Sequence, residues 1–440
     1  LNQVLELGVS NLNPRVFVVA GGRGTRSENP QLPKILQNVH GNQTLLDLYF
    51  EFFDRQDLKD VVFLLGAMSD SILPLLNEKK LRFPNFKIHY FIEESQEGNL
   101  PALVKGLEIY PCDEAIVILG DVVVNFTLKP CLDYWRLKDV NLGAIVHPNL
   151  HPTDSDRFVM DGSTGNSTFV GKLEELTEEK SGLTYALAGV FFIKGNEIAA
   201  LVDSLLAKEL RDIGSGLVPY LGNNSVPIKS VGYFQDTGTR ERLERARIHI
   251  ESGAYERRGK SEIPCIFIDR DGTIFPDSSR GRIKVSEEEI SHDFSSAVKR
   301  LNGLGVPMFV VTNQPAVAKG LIFEQDVDRV HQMLQGILVS RGSFIDDFVF
   351  CPHHPEKGFP GERIELKCFC NCRKPNTGLI EQLRNLYGLS IKNSIMIGDS
   401  IVDEQLATNL GMRFIKAPGL QSNFMDCSKQ LETAIGLLVT

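Results

Sequence analysis

The sequence predicts an α/β chain made of two doubly wound domains, and three observations carry that prediction. Short apolar runs of strand character alternate with stretches whose apolar residues recur at helical spacing, the βαβ rhythm of parallel sheets. Two of those strands end abruptly in loops dense with chemistry. Arg15 to Ala20 runs into Gly21-Gly22-Arg23-Gly24-Thr25-Arg26, and Ile266-Phe267-Ile268 runs into Asp269-Arg270-Asp271-Gly272-Thr273. Open α/β sheets bind ligands outside the carboxyl ends of their strands, so each loop marks a domain of its own. The length, 440 residues, suits about two to three domains.

Bulk properties narrow the function classes. Hydrophobic residues make up 42% and charged residues 23%, the balance of an ordinary globular protein. The formal net charge of −9 supplies no global field for nucleic acid or an anionic membrane, so neither is an expected partner and small molecules are. No apolar run is long enough to span a bilayer. The first residues, LNQVLELGVSNLNPR, lack the basic-then-apolar order of a secretory signal, which makes the cytoplasm the expected compartment. Four of the eight cysteines fall between Cys351 and Cys372, a clustering that favours a metal site over a disulfide framework. The oligomeric state is left open.

In the first half, glycines after the first strand let the backbone approach a phosphate and present N–H groups to it. Arg26 and Lys34 add charge for a polyphosphate. Thr44 to Arg55 has the apolar spacing of a helix, and strands are expected at Val61 to Leu65, Ile88 to Ile92, Ala115 to Leu119 and Leu142 to Val146. Gly98-Asn99-Leu100-Pro101 reads as a turn opening a helix. Gly120-Asp121 ends a buried strand, and Asp236-Thr237-Gly238-Thr239 ends another.

G-G-x-G-T-R followed by Pro33-Lys34 resembles the sugar-nucleotidyltransferase family. The resemblance implies a Rossmann-like sheet in which Gly21, Gly22, Gly24, Thr25, Arg26 and Lys34 hold the nucleotide phosphates. It implies that the Gly98-Asn99 turn faces the base, and that Asp121 and Asp236 jointly hold Mg²⁺. A Lys from an E-K-P-like segment meets the sugar phosphate in this family, and Lys172 is the residue in that region. The implied reaction is attack of an anomeric phosphate oxygen on the α-phosphate of a nucleoside triphosphate, with pyrophosphate leaving.

Glu251 to Glu262, with its Gly, Ser and mixed charge, reads as a helix end plus a linker. It sets a boundary near Arg258 and domains at 1–257 and 258–440. Beyond it, Asp269 and Asp271 lie on the same side of an extended chain and repel each other, an arrangement suited to a cation or to phosphate chemistry. Three further stretches follow in order: Thr312-Asn313-Gln314 after an apolar strand, Arg373-Lys374-Pro375, and Gly398-Asp399 with Asp403 beyond.

These four stretches resemble the haloacid-dehalogenase phosphatase superfamily. The resemblance makes Asp269 the nucleophile and Asp271 the general acid and base. Thr312 and Lys374 hold the phosphoryl group, with Asn313, Gln314 and Arg373 among the substrate contacts. Mg²⁺ falls to Asp269 and Asp399 with the carbonyl of Asp271, and Asp403 orients Lys374 or the metal shell. Cys351, His353, Cys370 and Cys372 offer the four N/S ligands that Zn²⁺ wants, with Cys368 and His354 as possible exchanges. This C-x-H…C-x-C pattern, running into Arg373 and Lys374, resembles the zinc-containing heptose bisphosphate phosphatases and their histidinol-phosphatase relatives. There the zinc is structural, and the short chain between Thr312 and Cys351 leaves substrate selection to the zinc loop.

Together the two resemblances imply a bifunctional enzyme of nucleotide-activated heptose synthesis. It takes the 7-phosphate from a heptose 1,7-bisphosphate and then joins a nucleotide, expected to be GMP from GTP, to the 1-phosphate. The alternatives are a phosphatase for histidinol phosphate or another small phosphate, fused to a different sugar transferase or to a non-catalytic domain that binds sugar nucleotide. A DNA 3′-phosphatase is disfavoured by the acidic charge.

Overall fold

A computed structural model describes residues 13–22, 28–94, 97–148, 155–160, 167–171, 184–277, 281–418 and 427–439. Arg15–Ala20 forms the centre of a nine-stranded sheet, flanked by Glu114–Leu119 on one side and by Asp60–Leu65 and then Lys87–Ile92 on the other, all parallel. These strands match the doubly wound rhythm of the sequence. Beyond them the sheet is mixed. Thr184–Lys194 lies antiparallel to Glu114–Leu119 and carries Leu142–Pro148 and Arg157–Met160 on its far side, also antiparallel. Leu142–Pro148 thus belongs to this extension, which apolar content alone does not reveal, because strands buried on both faces read alike in either direction.

Local chemistry sets the helix starts. Thr44 caps Leu45–Arg55: its N–H donates to Asp47 Oδ2 at 2.7 Å, and its hydroxyl accepts from the Asp47 N–H at 3.3 Å. That reciprocal pair satisfies two donors left over at the helix end. The helix then buries Tyr49, Phe50, Phe52 and Phe53 against the sheet, with the Phe50 and Phe63 rings 6.0 Å apart.

The second half is a five-stranded, all-parallel sheet in the order Asp347–Cys351, Met308–Asn313, Ile266–Ile268, Ile395–Gly398, Arg413–Lys416. Alternation along the strands divides the core in two. Ile266, Ile268 and Val310 pack toward helices His292–Gly303, Glu324–Ser340 and Ser428–Val439. Phe267, Phe309 and Met396 pack toward Gly378–Tyr387 and Ile401–Leu410.

The stretch read as a linker contains a short helix and is docked. Arg240–Glu251 is followed by a short helix, Ala254–Arg258, and Arg258 is 6% exposed. Its guanidinium lies 2.8 Å from Asp346 and donates to the Val231 carbonyl at 2.9 Å. Next to it, Lys229 of the first half lies 2.8 Å from Asp347, which also accepts from the Tyr387 hydroxyl at 2.7 Å. Charged residues in a linker read as solvated, and only the fold shows that Arg258 has a buried partner 88 residues away. Replacing Arg258 with Ala leaves Asp346 buried without its cation. Unfolding in urea is therefore expected to show a loss of about 3–5 kcal/mol.

Candidate active sites

Three parallel strands bring the second half's chemistry to one edge. Ile268 lies opposite Val310 on one side and Ile397 on the other, so Asp269, Thr312 and Asp399 all emerge at the carboxyl ends. The Asp269 N–H donates to the Ile397 carbonyl at 2.9 Å, fixing the turn that follows. Gly272 takes φ +84°, and a Cβ there would stand 2.4 Å from the Asp399 carboxylate, so only glycine lets the loop pass.

Lys374 Nζ lies 2.7 Å from both Asp269 Oδ1 and Asp403 Oδ1. Its backbone is clamped by Asn313, whose Oδ1 accepts from the Lys374 N–H at 3.0 Å and whose Nδ2 donates to its carbonyl at 3.1 Å. Asp403, fully buried, also accepts from the Ser400 hydroxyl at 2.5 Å. Gln314 Nε2 donates to Asp271 Oδ2 at 2.6 Å and to Thr312 Oγ1 at 2.9 Å, while Arg270 Nε donates to Asp271 at 3.0 Å.

The electrostatics are those of crowded carboxylates. Burial pushes Asp269 up to about 7, with Asp403 and Asp271 adding to the rise and Lys374 opposing it. Burial, then Asp403, also raises Asp399. Burial works against the Lys374 charge, but Asp269 and Asp403 outweigh it and hold the ammonium above its ordinary range. Oxygens of Asp269, Asp399 and Asp403 all lie within 4.8 Å of one another. Such a set of hard oxygen donors suits a divalent cation.

Cys351 ends the edge strand beside Asn313, and from there the chain loops out and returns at Cys370 to Cys372. The donor atoms of Cys351, His353, Cys370 and Cys372 lie within 4.8 Å of one another. The Cys372 sulfur is 3.2 Å from that of Cys351, 3.3 Å from that of Cys370 and 3.2 Å from His353 Nδ1. Tetrahedral zinc with bonds of about 2.3 Å to sulfur needs donors spaced about 3.8 Å apart, which this quartet reaches with small movements. Its hydrogen bond with Cys351 draws the Cys372 thiol down to about 5, so one thiolate is already favoured. Of the possible exchanges, Cys368 is exposed and His354 Nδ1 faces the Glu356 carbonyl at 3.4 Å. Arg373 donates to the His353 carbonyl at 3.2 Å, which ties the loop to the residue before Lys374. Between Thr312 and Cys351 the chain forms two helices, Pro315–Ala318 and Glu324–Ser340, and no inserted cap.

In the first half, Lys34 Nζ lies 2.6 Å from Asp121 Oδ2. The N–H and hydroxyl of Thr237 both donate to the Asp121 carbonyl at 2.8 Å. Tyr233–Asp236 pairs antiparallel with Val122–Asn125, with Asp236 opposite Val122. The two aspartates are thereby brought together: burial, then the charge of Asp121, pushes Asp236 up, against the pull of Arg242 at 3.3 Å. A pair of converging carboxylates is a fit for Mg²⁺, which takes few protein oxygens and completes its shell with phosphates and water.

A cavity of ≈ 370 Å³ on one side of this pair is lined by Gly21, Gly22, Lys34, Glu93, Gly98 and Asp121. Asn99 borders it too, but its carboxamide is engaged within the protein, accepting from the Ile213 N–H at 2.7 Å and donating to Asp212 at 2.6 Å. On the other side a cleft of ≈ 730 Å³ is lined by Asp121, Asp236, His147 and Arg245, and by Lys299 and Asn302 of the second half. Gly24, Thr25, Arg26 and Lys172 lie outside the described residues.

Sequence reasoning missed Asp346, the buried partner of Arg258, Asp347, which pairs with Lys229 of the first half, and Glu93, a buried carboxylate in the cavity wall. The signal for Glu93 was an acidic pair closing a strand just before Gly98.

The profile of a HAD-hydrolase-like family matches residues 371–416. Over 159 residues, 36% of this chain, the sequence is 32% identical to D-glycero-beta-D-manno-heptose-1,7-bisphosphate 7-phosphatase of Yersinia pestis and spans 82% of it. It is also 32% identical over 152 residues to the corresponding alpha-heptose phosphatase of Photorhabdus laumondii, covering 80% of that protein. The crystal structure of HddC from Yersinia pseudotuberculosis with GMP-PN aligns to 53% of this chain and 98% of its own length, at 18% identity and a TM-score of 0.43.

Proposed function

We propose, from the premise that the chain belongs to the family of the D-glycero-D-manno-heptose-1,7-bisphosphate 7-phosphatases, that it performs two steps of nucleotide-activated heptose synthesis. The second half removes the 7-phosphate of a heptose 1,7-bisphosphate. The first half joins a nucleotide to the 1-phosphate that remains, with GTP as donor. The observation that carries this reading is the Asp269–Lys374–Asp403 cluster, whose Lys374 sits on the loop that carries Cys370 and Cys372 of the Cys₃His quartet.

The phosphatase chemistry follows from the residues in place. Asp269 attacks the phosphorus, and an aspartyl phosphate forms as the C7 oxygen leaves. Asp271, held by Gln314 and Arg270, gives that oxygen its proton and then takes one from the water that splits the aspartyl phosphate. Thr312 Oγ1 and Lys374 Nζ donate to the transferring phosphoryl oxygens. Mg²⁺ held by Asp269 and Asp399, with the Asp271 carbonyl, would supply charge neutralisation at those oxygens. In the first half, a 1-phosphate oxygen attacks the α-phosphorus of the triphosphate and pyrophosphate leaves. Lys34 and the glycine loop steady the phosphates, and Asp121 and Asp236 would hold Mg²⁺ there.

Zinc in the quartet would hold the loop that presents Arg373 and Lys374. Metal analysis of the purified protein is expected to give one zinc per chain. Cys372→Ser is expected to lose that zinc and lower phosphate release by about 10–100-fold. A variant that lacks zinc yet keeps full activity would remove the loop from the mechanism.

The reading is tested by phosphate release from each anomer of heptose 1,7-bisphosphate, compared with histidinol phosphate. Preference for either heptose anomer supports it, and preference for histidinol phosphate overturns it.

A further inference from the structure

One helix, Arg240–Glu251, runs along the ≈ 730 Å³ cleft beside the Asp121–Asp236 pair, and its Arg242, Arg245 and His249 line it from one face. The Arg242 guanidinium lies 3.3 Å from Asp236, so this end of the helix marks the metal end of the cleft. At the other end, about 15 Å along the axis, the Ser252 hydroxyl donates to the Gly303 carbonyl of the second half at 3.1 Å. The far end of the cleft is built by the second half, through Lys299, Asn302 and Phe344. That wall is fixed. Gly305 takes φ +70°, and a Cβ there would stand 2.6 Å from the Ala254 carbonyl oxygen, so the turn after helix His292–Gly303 lies tight against the first half. Asn302 spends its carboxamide on the neighbouring loop, donating to the Phe344 carbonyl at 3.0 Å and accepting from the Phe344 N–H at 2.9 Å. Lys299, one turn earlier, has no hydrogen bond or ion pair among the described residues. Its ammonium stands beside Gly342, where a Cβ would lie 3.2 Å from Nζ.

We infer that Lys299 of the second half binds the sugar acceptor of the first half, an inference that rests on reading this cleft as the acceptor site of a nucleotidyl transfer. The glycine loop and Lys34 lie in the cavity on the opposite side of Asp121, which leaves the cleft for the sugar 1-phosphate. Its phosphate belongs at the Asp121–Asp236 end, where the metal would sit. The far end then meets the part of the sugar remote from C1, which in a heptose is the C6–C7 arm. An ammonium carries three donors and no acceptor. The hydroxyl oxygens that dephosphorylation leaves on that arm accept from it. Lys299 has no part in the phosphatase chemistry. Helix His292–Gly303 ends just before strand Met308–Asn313 begins, so its last turn lies at the amino ends of the parallel strands. Asp269, Thr312 and Asp399 emerge at the carboxyl ends. One edge of the second sheet thus carries its own site, and the other completes the site of its neighbour.

D-mannose 1-phosphate isolates the contact, because it shares the ring of D-glycero-D-manno-heptose 1-phosphate and stops at C6. Pyrophosphate release by the full chain, with Mg²⁺ and GTP, is measured with each acceptor. The parent is expected to favour the heptose by about 10-fold in kcat/KM, the value of a hydrogen bond from a charged donor. Lys299→Met, which keeps the length and removes the charge, is expected to lower kcat/KM for the heptose by about 10-fold and to bring the ratio of the two acceptors close to one. Lys299→Arg is expected to restore part of the preference. Phosphate release from heptose 1,7-bisphosphate by Lys299→Met is expected to match the parent, which also reports that the variant is folded. No preference in the parent, an unchanged ratio in Lys299→Met, or an equal loss with both acceptors overturns the role of Lys299 and leaves the first half a transferase. No transfer to either acceptor by the parent overturns the reading of the cleft as an acceptor site, and the inference with it.

Discussion

Asp269→Asn is expected to lower phosphate release from heptose 1,7-bisphosphate by about 10³-fold or more, because a neutral amide cannot serve as the attacking oxygen. The substitution keeps the shape of the side chain. Lys374 Nζ retains an oxygen acceptor at position 269 and its partner Asp403, so the buried ammonium is not stranded. The loss should therefore appear in kcat, with the melting temperature little changed. Nucleotide transfer to pre-formed heptose 1-phosphate serves as the internal comparison, since its residues lie on a different sheet. Retention of phosphate release within tenfold of the parent would remove Asp269 as the nucleophile.

Asp121→Asn is expected to have the complementary effect, lowering pyrophosphate release by about 10³-fold while heptose bisphosphate is still hydrolysed. Asp121 occupies the centre of the first-half site. It lies 2.6 Å from Lys34, its backbone carbonyl is held by Thr237, and its charge raises Asp236. Removing that charge removes half of the carboxylate pair that would hold Mg²⁺. Lys34 would also lose its ionic partner, so part of the effect should appear in the affinity for triphosphate. Unchanged pyrophosphate release would place the metal elsewhere. No pyrophosphate from the parent protein with any triphosphate would turn the first half into a binding domain that regulates the phosphatase.

The parallel strands and the two loops they feed were legible because buried strands are apolar runs and their loops are not. Asp269, Lys374 and the Cys₃His quartet were legible because type and spacing together are specific. What escaped were features that exist only across long separations. Strand direction beyond Leu119 depends on which neighbour pairs, and the two directions leave the same apolar signature in Leu142–Pro148. The charged stretch ending at Arg258 reads as solvated until Asp346 closes over it. Asn99 reads as a turn residue facing a ligand until Asp212 and the Ile213 N–H take up its carboxamide. Glu93 reads as one of two ordinary acidic residues until its burial in the cavity wall is seen.

The central claim is that one chain performs both steps, and mass spectrometry of a single reaction tests it most directly. Each anomer of D-glycero-D-manno-heptose 1,7-bisphosphate is incubated with the protein, Mg²⁺, and GTP, CTP, UTP and ATP together. The account predicts a GDP-heptose product from at least one anomer, with phosphate and pyrophosphate released alongside it. Mixtures in which neither anomer yields a nucleotide-linked heptose, with or without phosphate release, would contradict it.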